Sequence, residues 1–384
     1  MDFRLKDEQL MIQKTARDFA KKELEPVAQK LDKTKDFSLL VDNIKKMAQL
    51  GFMGLAVPEC YGGAQAGAVA YSLALTEIGR VCASTAVTMS VTNMVAELLV
   101  EFGTELQKQK YVPKLLSGEY AAGSFGLTEA SAGSDPTSMK TMAVENEDGY
   151  LLNGSKLFIT SAEYAGIFIV WAITDKQAER RRGMSAFIVE RDTPGFTVGK
   201  NEEKMGQRGS ATNEIIFEDC QVPREHLLGE LNNGYRIALA ELAGGRIGIG
   251  SMAVGIGLAA MDFATNYAKE RIQFGKPISS FQALQWMIAD SYTELEAAQL
   301  LILRAAFLKE TGQQFAREAA MGKLYATEAA NRACYRAVQM LGGYGYVEDY
   351  PVERYYRDVR VTTIYEGTSE IQRLLIARSF LKMT

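Results

Sequence analysis

Apolar and polar positions along the chain fall into three blocks of different period. In the first, residues 8–24 place Ile12, Ala16, Phe19, Ala20 and Leu24 on one face at helical spacing, and Pro26 marks the first break. The segment from Val57 to Gly63 reads as a loop, and the alanine-rich stretch 65–101 as one buried helix. Phe102-Gly103-Thr104 ends that helix and starts the next. Near residue 120 the period shortens. Strands are predicted at Tyr150–Leu152, Lys156–Thr160, Ile167–Trp171, Ser185–Val189 and Glu214–Phe217, with turns at Asn153-Gly154 and Pro194-Gly195. From about 231 the helical period returns over roughly 235–270, 281–310, 315–342 and 369–382. Several of these helices are apolar on more than one side, a pattern of subunit contacts. The pattern thus predicts an α+β chain, mostly α: an N-terminal helical domain (1–119), a middle β-barrel-like domain (120–230) and a C-terminal four-helix bundle (231–384).

Composition narrows the function classes. The chain has 384 residues, enough for two or three subdomains, and 43 basic against 47 acidic side chains. A net charge of −4 offers no electrostatic case for nucleic acid or an anionic membrane as partner. No apolar run is read as approaching the roughly 20 residues of a membrane span, and the polar start Met1-Asp2-Phe3-Arg4 is not a signal peptide. Cys60, Cys82, Cys220 and Cys334 are far apart without a CxxC, which favours a reduced cytoplasmic protein and no structural metal. His226 is the only histidine. Following Val222-Pro223-Arg224, it is expected at the surface. Histidine-based triads and metal sites are therefore out of contention, and chemistry falls to carboxylates, backbone dipoles or a cofactor.

Candidate chemistry then concentrates in a few segments. Ile364-Tyr365-Glu366-Gly367-Thr368-Ser369-Glu370 sets a carboxylate in an apolar neighbourhood before a helix. Ser369 and Gln372 have capping-box spacing, so that helix is predicted to begin at Ser369 and run through Leu381. Glu366 has the setting of a general base, although an exposed loop carboxylate would look the same in this segment alone. Phe125–Asp135 carries small residues, hydroxyls and glycines able to aim backbone N–H groups at a ligand, or to serve as a plain linker. Arg271–Pro277 is a helix break with a cation, and Gln339–Tyr346 a helix ended on glycines. Gly248-Ile249-Gly250-Ser251-Met252-Ala253 matches the dinucleotide fingerprint but has no strand before it, so close helix packing explains it better.

Taken in order, LTEASAGSD, KLFIT, GGRIG, RIQFGKPI, QMLGGYGY and YRDVRVTTIYEGTSEIQR resemble the acyl-CoA dehydrogenase family of flavoproteins, in its short- and medium-chain, butyryl-CoA dehydrogenase-like branch. The resemblance spans essentially the whole chain. It implies non-covalent FAD, contacted by Phe125, Leu127, Thr128 and Ser134, by Phe158, Ile159 and Thr160, by Arg271, Phe274 and Gln282 across a subunit boundary, by Gln339, Gly342 and Gly343, and by Thr368 and Glu370. It implies an acyl-CoA substrate meeting Ser134, Arg246, Tyr365, Gly367 and Arg378, and no metal. It makes Glu366 the base that takes the α-proton while hydride passes to flavin N5. It places electron-transferring flavoprotein downstream, in fatty acid or carboxylic acid degradation, and implies a homotetramer. Two departures stand out. Ala243 occupies a position that is often acidic, and Ala130 replaces a common proline. The alternative base position near Gly244 is not acidic, which leaves Glu366. Met89–Met94 and the helix before Arg246 are expected to line the acyl pocket. A 2-enoyl-CoA reductase or a flavin-dependent lyase on the same fold, and a non-catalytic helical scaffold, are the alternatives.

Overall fold

The computed structural model describes residues 4–178 and 181–382. Helices α1 (Asp7–Phe19), α2 (Glu25–Thr34), α3 (Phe37–Gln49), α4 (Gly67–Val81), α5 (Ala83–Phe102) and α6 (Glu105–Leu116) form the first block. Pro26 does not end a helix as the pattern predicts. A π turn over Ala20–Leu24 carries the chain from α1 into α2, and Pro26 sits in the first turn of α2, where a missing N–H costs nothing. The stretch 65–101 is two helices, not one: Cys82 is extended (φ −144°, ψ 100°), and the Val81 carbonyl accepts from the Arg354 guanidinium at 3.3 Å. At α6 the predicted start holds. Thr104 Oγ1 accepts from the Gln107 N–H, and Gln107 Oε1 accepts from the Thr104 N–H at 2.9 Å, a reciprocal cap.

The middle block is one sheet of eight strands: β1 (Gly123–Gly126), β2 (Met142–Asn146), β3 (Gly149–Thr160), β4 (Ile167–Ile173), β5 (Met184–Glu190), β6 (Phe196–Asn201), β7 (Thr212–Pro223) and β8 (Leu227–Leu228). Their order is β6-β7-β3-β2-β4-β5-β8, and β1 pairs in parallel with β4. The predicted Asn153-Gly154 turn is a bulge inside β3. Gly154 (φ 142°) shifts the register against β7, and a Cβ there would stand 2.8 Å from the Thr141 Cα. His226 is buried, not superficial: Tyr111 Oη and His226 Nε2 lie 2.9 Å apart, and burial lowers the imidazole's proton affinity.

The last block holds α7 (Gly234–Glu270), a hairpin of β9 (Ile272–Gln273) and β10 (Lys276–Pro277), then α8 (Gln282–Glu310), α9 (Ala316–Leu341), α10 (Val352–Arg360) and α11 (Ser369–Leu381). Helix α7 is the hub, packing on α4, α5, α8, α9 and α10. Its glycines make that possible. A Cβ on Gly250 would lie 2.2 Å from the Ile302 side chain and one on Gly248 2.5 Å from Ser90 Oγ, so the apparent dinucleotide fingerprint is a packing surface. The expectation that no apolar run nears membrane length does not hold. Ala83–Phe102 and Gly234–Glu270 are long and apolar enough, yet their apolar windows are 89% and 78% buried inside the fold.

The linker between the first two blocks is pinned by a buried ion pair. Lys156 of β3, wholly inaccessible, donates to Glu129 Oε1 at 2.8 Å, and Glu129 also accepts from the Thr141 N–H at 3.0 Å. Burial pulls the Lys156 ammonium down to about 8, while Lys156 and these N–H donors hold the Glu129 carboxyl below its usual range despite burial. Removing one partner leaves the other charge stranded at a cost of about 3 kcal/mol. Lys156→Met is expected to lower the melting temperature by several degrees in a thermal scan. An unchanged melting temperature would show that the pair contributes nothing to the linker's placement.

Candidate active site

Glu366 lies in the turn between α10 and α11, not on a helix. Its backbone is left-handed (φ 55°), as is that of Gly367 (φ 85°). A non-glycine residue in this region carries roughly 1 kcal/mol of strain, so its surroundings must enforce it. They do so through Gln372, whose Nε2 donates to the Glu366 carbonyl and the Gly367 carbonyl, each at 2.9 Å. Lys323 of α9, fully buried, donates to the Gly367 carbonyl at 2.8 Å. The predicted cap also shifts by one residue. Thr368, not Ser369, caps α11, its hydroxyl accepting from the Ile371 N–H at 3.3 Å. Gln372 is occupied with the turn carbonyls instead of closing a capping box.

The Glu366 side chain points at α7. Its Oε2 would lie 2.7 Å from a Cβ on Gly245, beside the Met94 thioether. That oxygen is buried without a hydrogen-bond partner among the described residues. Burial pushes the carboxyl up to about 7, against the lowering pull of Arg246 and then Lys323. Desolvation thus outweighs the two nearby cations. Arg246, on the next residue of α7, is buried with its Nε unpaired, and burial lowers its proton affinity. Tyr365 accepts at its hydroxyl from Gln207 Nε2 at 3.1 Å, which fixes the residue before Glu366.

The structure gathers the other expected residues into two groups. Strand β1 and the linker bring Phe125, Leu127 and Thr128 beside the end of β3, where the Leu157 N–H donates to the Thr128 carbonyl at 2.9 Å and Lys156 Nζ reaches the Leu127 carbonyl at 3.4 Å. Phe125 packs on Trp171, ring centroids 4.4 Å apart. Phe158 is 62% exposed with φ 60°, its neighbour Ile159 is buried, and Thr160 accepts at its carbonyl from Ser124 Oγ at 2.8 Å. Ser134 lies exposed in the linker. The second group lines a separate open cavity: Arg271, Gln339, Gly342 and Gly343, with Tyr344 beneath the Arg271 guanidinium at 5.6 Å. Phe274, 91% exposed, and Gln282 are not in its lining, and Glu370 is exposed near Arg373. Arg378 is half-buried on α11. No group of three or more potential metal ligands exists among the described residues.

The second cavity has room and donors for a dinucleotide. Gly342 and Gly343 face open space where side chains would stand, and Arg271 and Gln339 supply a cation and an amide. The residues therefore fit FAD's polar end, while the exposed Phe158 side chain offers a face to a planar ring.

The sequence matches the N-terminal, middle and C-terminal domains of acyl-CoA dehydrogenase over residues 6–119, 124–220 and 232–381. The chain belongs to the acyl-CoA dehydrogenase family. It is 49% identical to an acyl-CoA dehydrogenase of Bacillus subtilis over 97% of this chain and 98% of that one. It is 45% identical to an NADH-linked acryloyl-CoA reductase of Anaerotignum propionicum over 100% and 96% of the two chains. Among solved structures, butyryl-CoA dehydrogenase of Megasphaera elsdenii superposes with a TM-score of 0.96 at 43% identity, covering 99% and 100% of the chains. A chain from work on the electron-transferring flavoprotein of Acidaminococcus fermentans and flavin-based electron bifurcation reaches 0.97 at 45% identity, covering both chains fully. An FAD-complexed acyl-CoA dehydrogenase of Bacillus anthracis reaches 0.93 at 35% identity, over 98% of this chain and 67% of that one.

The part that three residues play at the site is not readable from motifs: Gly245, Lys323 and Gln372. The GGRIG run contains Gly245, but only the fold shows that its missing Cβ makes room for the Glu366 carboxylate. Gly245→Ala would place a methyl group 2.7 Å from Glu366 Oε2 and displace the carboxylate. The expected result is a loss of about 100-fold in single-turnover rate with unchanged cofactor content, since a misplacement near 1 Å costs that much. A rate within twofold of wild type would show that Gly245 does not set the base's position.

Proposed function

We propose that the protein is an FAD-dependent dehydrogenase of short acyl-CoA thioesters, forming the 2-enoyl-CoA, with Glu366 as the base. The observation that carries this reading is the Glu366 carboxyl itself: on a half-buried residue, with Oε2 enclosed and unpaired, and held near neutral titration by burial against the pull of Arg246 and Lys323. Bound FAD supplies the acceptor for the hydride equivalent that leaves the β-carbon. The chain's own residues do the rest. Gly367 and the strained turn bring the Glu366 N–H to the thioester oxygen, where charge grows as the α-proton leaves. Glu366 takes that proton, and desolvation raises its basicity to the range in which transfer works at neutral pH. Arg246 and Lys323 keep a useful fraction of it ionised. Ser134 and Arg378 are the residues the family resemblance assigns to the CoA portion, and Arg271, Gln339, Gly342 and Gly343 those it assigns to the cofactor. Lys323→Met removes a cation and raises the Glu366 titration, so the acid limb of the kcat/KM profile should move to higher pH than in wild type.

The relative that reduces acryloyl-CoA favours a second reading in the opposite direction. A carboxyl titrating near 7 can deliver a proton to the α-carbon of an enoyl thioester as readily as remove one. The chemistry of the site is the same in both directions. Electron exchange with an electron-transferring flavoprotein is supported by the Acidaminococcus comparison. A homotetramer is supported by bulky apolar side chains left exposed on the outer helices, Trp286 and Phe307 of α8 and Tyr335 of α9. A cytoplasmic setting is supported by the absence of any disulfide among the four cysteines.

Glu366→Gln should keep the yellow cofactor and lose its bleaching by butyryl-CoA by a factor of about 1,000 or more. Bleaching at the wild-type rate would remove Glu366 from the role. Arg271→Ala should lower the FAD content of the purified protein, and a full complement of FAD would refute its place at the cofactor.

A further inference from the structure

We propose that the acyl cavity ends in a polar subsite, built from Glu241, Lys309 and Glu97, that takes an acyl chain ending in one hydrogen-bond donor, a hydroxyl or an ammonium. The proposal rests on the dehydrogenase reading and names the substrate class of that same site. Glu241 lies on α7, five residues before Arg246, and is only 4% exposed. Its Oε1 has no hydrogen-bond partner among the described residues. A buried carboxyl oxygen without a partner is costly, so the position needs an explanation.

That explanation lies in what surrounds it. Glu241 lines a small cavity with Tyr71, Met94, Glu97, Gly244 and Lys309. Its volume is about 10 Å³, room for a single water-sized group. The cavity adjoins the base. Gly244 faces Lys309 Nζ and Glu241 Oε1, at 2.9 Å and 3.7 Å from where its Cβ would be, and the next residue, Gly245, faces Glu366 Oε2. Met94 borders both places, so a chain leaving the reacting carbons reaches the cavity by displacing one flexible thioether.

Charge selects the terminal group. Lys309 is hydrogen-bonded to Glu97, and both side chains line the cavity. Glu241 is the carboxyl left over. Burial, and then the Glu97 charge, raise its titration well above the ordinary range. Protonated or ionised, it keeps an acceptor oxygen for a donor on the ligand. An ammonium would balance the set at two cations and two carboxylates, and a hydroxyl would satisfy the unpaired oxygen without new charge. A carboxylate terminus would bring a third anion into a space sized for one atom. A methyl terminus would leave Oε1 unpaired, and sites with such unmet groups discriminate strongly against apolar analogues.

The test is calorimetric binding to FAD-loaded Glu366→Gln protein, in which removal of the base prevents turnover. The probes are 4-hydroxybutyryl-CoA and 4-aminobutyryl-CoA against pentanoyl-CoA, 5-hydroxypentanoyl-CoA and 5-aminopentanoyl-CoA against hexanoyl-CoA, and succinyl-CoA. The hydroxyl or amino member of at least one pair is expected to bind about tenfold or more tighter than its methyl counterpart. Adding Glu241→Met should abolish that preference, and adding Glu241→Gln should keep it for the hydroxyl and lose it for the ammonium. Tightest binding by a methyl-ended or carboxylate-ended thioester, or a preference that survives Glu241→Met, would overturn the polar subsite while leaving the dehydrogenase reading intact. Absence of binding by every thioester would overturn both.

Discussion

The site depends on one contact: a carboxylate packed against a helix at a glycine, where the helix has no side chain. Glu366 Oε2 occupies the space that a Cβ of Gly245 would need. Everything else in the active region serves to hold that placement. The turn is left-handed at Glu366 and Gly367, and such a backbone persists only when several interactions over-determine it. Gln372 and Lys323 supply them from two different helices, by donating to the carbonyls that the turn exposes.

The same packing sets the chemistry. A helix wide with side chains would have held the carboxylate out in solvent, where it would titrate as an ordinary glutamate and be a weak base. The glycines of α7 let α4, α5, α8 and α9 approach closely, and the Glu366 carboxylate is enclosed by that closeness. Desolvation then raises its titration, while Arg246 and Lys323 limit the rise to about 7. Stability and reactivity are thus drawn from one source, the thinness of a buried helix. The arrangement also explains why a buried cation such as Lys323 is tolerated: its ammonium meets a carbonyl and faces a carboxylate, though burial still pulls it down to about 8.

Much of this was legible in the chain, and the rest was hidden for definable reasons. Helical and strand periods gave the three-block α+β architecture, and ordered motifs gave the family and singled out Glu366. Local rules failed where distant residues intervened. Cys82 breaks an apparently continuous helix while the Val81 carbonyl bonds Arg354, more than 270 residues away. Asn153-Gly154 has the chemistry of a turn but lies in a sheet, where glycine admits a bulge against Thr141. His226 sits in a loop-like sequence yet is buried against Tyr111. At the site, Gln372 looked like a capping residue because spacing cannot show which carbonyls its amide will meet. Lys323 and Glu241 carry no motif at all. Their meaning comes from burial and from an unpaired atom, neither of which a pattern records.

The most direct test follows the proton instead of the electrons. Acetyl-CoA has α-hydrogens but no β-carbon from which hydride could leave, so exchange of its α-hydrogens into deuterium oxide isolates the action of the base. Followed by proton NMR, the FAD-loaded protein should catalyse this exchange with a rate that rises as pH passes about 7, where Glu366 ionises. Glu366→Gln should reduce it to the uncatalysed rate. Exchange by Glu366→Gln at the wild-type rate would show that another group takes the proton, and the account of the buried carboxylate would fall.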